Sequence, residues 1–103
     1  MTPEQQRIAI AEACGWKKIG PKGFGSTMIV GASPNDPAWP FTDIPDYLHD
    51  LNAMHEAESV IHRVMRAQYI EYIAQQTGGD YFSVAHATAA QRAEAFLRAK
   101  DVW

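Results

Sequence analysis

Of the chain's seven glycines and six prolines, all but Pro3, Gly78 and Gly79 lie between positions 15 and 45. Proline removes a backbone donor and clashes with the preceding turn, and glycine loosens what remains, so this third of the chain excludes a long helix. It leaves room for short strands. Ser26-Thr27-Met28-Ile29-Val30 has the best strand composition, and Trp16 to Ile19 is placed to pair with it as a hairpin. Ala32 to Thr42 reads as a loop carrying Trp39 and Phe41. An irregular stretch this long in a small domain is often functional.

Helices are expected on both sides of it. Thr2, Pro3 and Gln5 form a capping box with proline in the first turn, which predicts a helix from about Pro3 to Cys14 ended by Gly15. Ile8, Ala11 and Cys14 share its inner face. Asp43 as cap and Pro45 in the first turn predict a second helix through Leu48, Leu51 and Met54. Ser59 caps a third, running to about Gln76 through Ile61, Val64, Met65, Tyr69, Tyr72 and Ile73, and its continuity with the second is left open. Gly78-Gly79 stops it. Tyr81 to Val84 reads as an extended link. Thr88 and Gln91 then box the start of a last helix with a stripe of Ala89, Ala93, Phe96 and Leu97, and Val102 and Trp103 are expected to fold back onto the core. The fold class is α+β: about four helices with a short antiparallel sheet, sandwich-like, in one domain over 1–103.

The 103 residues suit a single core, with 47% hydrophobic and 20% charged side chains. No apolar run approaches the roughly 20 residues of a membrane span. The N-terminal residues lack a basic and an apolar region, and Cys14 is the lone cysteine, so a reducing cytoplasmic setting is expected. A net charge of −3 argues against DNA or RNA as partner. Its distribution is uneven. Residues 1–35 hold four basic and two acidic groups, whereas 36–58 hold six acidic groups and no Lys or Arg.

Three blocks, Ile10-Ala11-Glu12-Ala13-Cys14-Gly15-Trp16, residues 45–57 (PDYLHDLNAMHEA) and residues 87–98 (ATAAQRAEAFLR), occur in this order. Together they resemble small accessory proteins of tailed phages and prophages grouped as a phage ABA-sandwich domain. The resemblance implies helices flanking a small sheet and the cytoplasm of an infected bacterium. The resemblance also implies a role directed against the host, that of counter-defence. It carries over no catalytic residue, and it does not extend to Lys17–Phe41 or Val60–Ala85.

The stretch Trp16 to Thr27 is the main binding candidate. Its glycines let backbone N–H groups approach an anion, and Lys17, Lys18 and Lys22 supply positive charge. Gly23 and Ser26 add close approach and a donor, while Trp16, Phe24 and Trp39 offer flat rings for a base. The order is neither a P-loop nor a dinucleotide fingerprint, and a plain solvated hairpin fits the same composition. His49, His55 and His62 with Asp46, Asp50, Glu56 and Glu58 match no zinc spacing, so no metal is expected. Cys14, at a helix C-terminus, is a small core residue rather than a thiolate. Paired Asp46 and Asp50 read as a solvated acidic face. Trp39, Phe41, Tyr69, Tyr72 and Trp103 make an apolar surplus that points to a homo-oligomer.

The expected function is non-catalytic and cofactor-free: binding and sequestering a small anionic, nucleotide-type signal of host defence. The competing expectation is a protein–protein interaction module that grips a host or virion protein through its acidic and aromatic surface, with no small ligand. An enzyme acting on nucleotides through the His/Asp helix is the weaker third.

Overall fold

The computed structural model describes residues 1–21, 28–61 and 63–103; Lys22, Gly23, Phe24, Gly25, Ser26, Thr27 and His62, and the side chain of Val64, lie outside the described set. The class is α+β, with five helices and a three-stranded antiparallel sheet among the described residues. Four helices are of ordinary length and one is a single turn.

Helix α1 spans Pro3–Ala13. Its capping box is closed from both sides: Gln5 N–H donates to Thr2 Oγ1 at 3.1 Å, and Thr2 N–H donates to Gln5 Oε1 at 2.9 Å. Ile10 and Ala11 are fully buried, with Ile8 and Cys14 packed at the edge of the core. Gly15 then takes a φ of +96°, open to glycine at little cost, and swings the chain into the sheet.

The sheet consists of β1 (Lys17–Pro21), β2 (Ile29–Ala32) and β3 (Thr42–Asp43) in the order β1-β2-β3. β1 pairs with β2 as Lys17↔Ala32, Gly20↔Val30 and Pro21↔Ile29, with a register shift between Lys17 and Gly20. Lys18 absorbs that shift at φ 55°. A bulged edge ending in proline is a poor template for further strands. The central strand is buried throughout. At Gly31 an added Cβ would stand 3.1 Å from both Ile19 Cγ1 and the Lys17 carbonyl, so β1 crosses there only because the side chain is missing.

The second helix begins later than its cap signals predict. Asp43 belongs to β3, and Ile44 N–H donates to the Ile29 carbonyl, extending the pairing with β2. Ile44 is buried and precedes a proline, which disfavours helical backbone. Arg7 holds this corner by donating to the Ile44 carbonyl at 3.0 Å. A turn over 46–50 follows. Helix α2 (Leu51–Glu58) is capped instead by Asp50, which accepts from the Asn52 and Ala53 N–H groups.

Ser59 ends α2 rather than starting a helix: its hydroxyl donates to the Glu56 carbonyl at 2.7 Å. A tight turn and a short 3-10 segment (Arg63–Met65) separate α2 from α3 (Arg66–Thr77), so the two helices are distinct. Gly78, at φ +106°, terminates α3. The expected extended link at Tyr81–Val84 is the short helix α4 (Tyr81–Ala85), because Asp80 accepts from Ser83 N–H and Ser83 Oγ and caps it.

Helix α5 (Ala89–Ala99) opens on the Thr88/Gln91 box and packs against α1, α2 and α3. Phe96, Leu97, Ala93 and Ala95 are completely buried. Val102 and Trp103 stay outside, 49% and 41% exposed, because Phe96 and Leu97 already fill the core; the Arg98 guanidinium lies 5.0 Å from the Trp103 ring centroid. Tyr69 is buried and Tyr72 half-buried, so neither adds to the exposed apolar surplus. No helix among the described residues is long and apolar enough to cross a membrane.

The glycines of the hairpin give a paired prediction. Gly31→Ala is expected to destabilise by ~1–3 kcal/mol through overpacking. Gly20→Ala, with nothing within 4 Å of the new Cβ, should stay within about 0.5 kcal/mol. Urea unfolding of both variants tests this, and equal effects would contradict the close crossing of β1 over Gly31.

Candidate functional site

Where α1 ends and the sheet begins, three segments leave a gap. Trp16 forms one wall, the turn after β2 (Ser33 to Asn35) a second, and the last turn of α2 (Glu56, Ser59) a third, around a cavity of about 230 Å³. Tyr47 and Cys14 complete its lining. The turn at Ser33 is fixed locally: its hydroxyl accepts from Asn35 N–H at 3.2 Å, and its carbonyl accepts from Asp36 N–H.

Three of these side chains adjoin one another, the Trp16 indole and the Cys14 thiol both lying beside the Tyr47 hydroxyl. Burial pushes the Cys14 thiol above its ordinary value, only partly offset by the Tyr47 hydroxyl and the charge of Lys100. The Tyr47 phenol is raised as well, first by burial and then by the neighbouring thiol. At neutral pH both groups are protonated, and Cys14 is a poor nucleophile. Glu56 is the one charged residue lining the cavity among the described residues, so the interior suits neutral hydrogen-bonding groups and flat rings.

Among the eight residues singled out from sequence, Trp16 lines the cavity. Lys17 and Lys18 follow it on β1, both exposed, and Lys17 is paired with Ala32 next to Ser33. Trp39 stands apart, 55% exposed, with its ring edge-to-face against Phe41 at 5.3 Å. Lys22, Gly23, Phe24 and Ser26 lie outside the described residues.

The chain matches no protein-family model, no curated protein and no solved structure. The phage resemblance thus rests on its three sequence blocks.

Sequence reasoning did not single out Ser33, Asn35, Tyr47 or Ser59. The Ser-Pro-Asn turn signal was legible, but nothing local tells that α2 closes over it. Of the candidate metal set, His49 Nδ1 is 3.0 Å from Asp46 Oδ1 and His55 Nε2 is 3.9 Å from Glu58 Oε1, while His62 lies outside the described residues; among those described, no three ligating side chains converge.

The raised thiol and phenol fix a pH dependence. The folded chain keeps protons that the unfolded chain releases, so their contribution is full below the unfolded values of 9.0 and 10.0 and is lost as pH rises through the folded ones. The urea midpoint should therefore decline from roughly pH 9 upward, and Tyr47→Phe should flatten that decline. Iodoacetamide should label Cys14 more slowly than free cysteine at pH 8. Labelling at the free rate would place the thiol outside the core.

Proposed function

We propose that this chain is a non-catalytic binding protein for a small anionic, nucleotide-type ligand. The observation that carries the reading is the Trp16 cavity beside two lysines whose side chains have no ion-pair or hydrogen-bond partner among the described residues. A base fits against Trp16, with Ser33, Asn35 and Ser59 as hydrogen-bond partners. Glu56 keeps phosphate out of the interior and accepts from sugar hydroxyls, which leaves the phosphates facing the strand of Lys17 and Lys18. The resemblance to phage accessory proteins makes a host-defence signal the ligand class, and sequestration the role. A homo-oligomer is part of this proposal.

One observation favours a second reading, an interaction module for a host or virion protein. Trp39 and Phe41, 55% and 49% exposed, meet edge-to-face in the acidic segment between Asp36 and Asp43. Exposed aromatics ringed by one sign of charge suit a protein partner.

A thermal-shift series with AMP, ADP-ribose and cyclic dinucleotides separates the two. A ligand at 100 times its Kd should stabilise by about 2.7 kcal/mol. Trp16→Ala should abolish the shift, and the Lys17→Ala, Lys18→Ala double variant should weaken it and remove most of its salt dependence. The ligand should be recovered unchanged by chromatography. If no nucleotide shifts the melting temperature, or Trp16→Ala keeps the shift, the reading fails.

A further inference from the structure

On the opposite side of α2 from the Trp16 cavity, two clefts of about 360 and 270 Å³ share Glu58, Tyr69 and Ile70. They form one groove along α3. Its floor is apolar, with Ile61 and Ile73 almost wholly buried. Its rim leaves large apolar groups in water: Ile70 is 52% exposed and Tyr81, on α4, is 90% exposed. The combined size is that of a small-molecule site.

The charges along it are unevenly committed. Glu58 is 3.5 Å from Arg92 Nη1, and the other Arg92 nitrogens donate to the Ala87 and Ala85 carbonyls. Glu58 also faces His55. Arg66, lining the wider cleft, has no ion-pair or hydrogen-bond partner among the described residues. One positive charge is thus left over at one end of an apolar trough. The Tyr69 hydroxyl is sealed from water beside Glu58 and Arg92, so it belongs to that buried polar cluster and not to the open rim.

We infer that this groove is a second binding site, for an amphipathic monoanion: a carboxylate with an aliphatic or aromatic body. The body lies over Ile61, Ile70 and Ile73 toward Tyr81, and the carboxylate pairs with Arg66. The inference does not depend on the nucleotide reading, since the Trp16 cavity and this groove share only Ser59.

Decanoate, below its micellar concentration, is the probe, with decanol and decylamine as neutral and cationic controls of equal length. Titration calorimetry should give saturable one-to-one binding of decanoate, about tenfold tighter than decanol. Arg66→Gln should remove that preference and leave decanol binding unchanged. Ile70→Asp, at an exposed position compatible with folding, should abolish both, and Ile70→Ser should weaken both if the first variant proves unstable. Equal binding of all three probes, or decanoate binding indifferent to both Arg66→Gln and the Ile70 variants, would overturn the assignment. So would light scattering that shows a dimer dissociated by Ile70→Asp, because the groove would then be covered by a second copy.

Discussion

Helix α5 holds the molecule together because its buried face is mostly alanine. Ala89, Ala93, Ala95 and Ala99 are buried, which lets neighbouring backbones come close, while Phe96 and Leu97 fill the spaces between them. Helices α1, α2 and α3 all pack against this one element. Enlarging any of these alanines has no free volume to use, and shortening Phe96 leaves a cavity that three helices would have to close. The placement of everything outside follows. Cys14 and Trp16 sit at the end of α1, Glu56 and Ser59 at the end of α2, and Tyr69 and Ile70 on α3, each fixed by a helix seated on α5.

Helix starts governed by local chemistry were legible in the sequence. The Thr2/Gln5 and Thr88/Gln91 boxes each involve four consecutive residues, and both form with the expected bonds. The same residue types misled where a distant partner decided the outcome. Asp43 resembles a helix cap, yet Ile44 is pulled into pairing with Ile29, fifteen positions earlier. Ser59 serves equally at either helix end, and its hydroxyl bonds backward. Tyr81 to Val84 has a strand composition, but a capping Asp80 at the N-terminal end outweighs it over so short a span.

The site was legible only in its ring. Trp16 was identifiable because it opens the glycine-rich stretch beside two lysines. Its cavity mates, Ser33, Asn35, Tyr47 and Ser59, come from three further segments that no spacing rule links. Tyr47 shows why. In sequence it belongs to the helix expected to start at Asp43, but α2 is capped by Asp50, seven residues later, and the turn so created places Tyr47 in the core beside Cys14. A shift in one helix start thus made a residue to which the sequence assigned no role into a wall of the site.

The last turn of α2 separates the two hollows described above. Glu56 and Ala57 face the Trp16 cavity, His55 and Glu58 face the groove on α3, and Ser59 lines both. That division is a consequence of helical period, since neighbouring residues on a helix are turned about 100° from one another. It also makes the short connection from Ser59 to Arg66 the point where the hollows meet mechanically. The Ser59 hydroxyl ties this connection to the Glu56 carbonyl, Lys100 Nζ reaches the Val60 carbonyl from α5 at 3.4 Å, and Ile61 is buried beneath the groove. The wall between the hollows is therefore tied down at its helical end and at its centre.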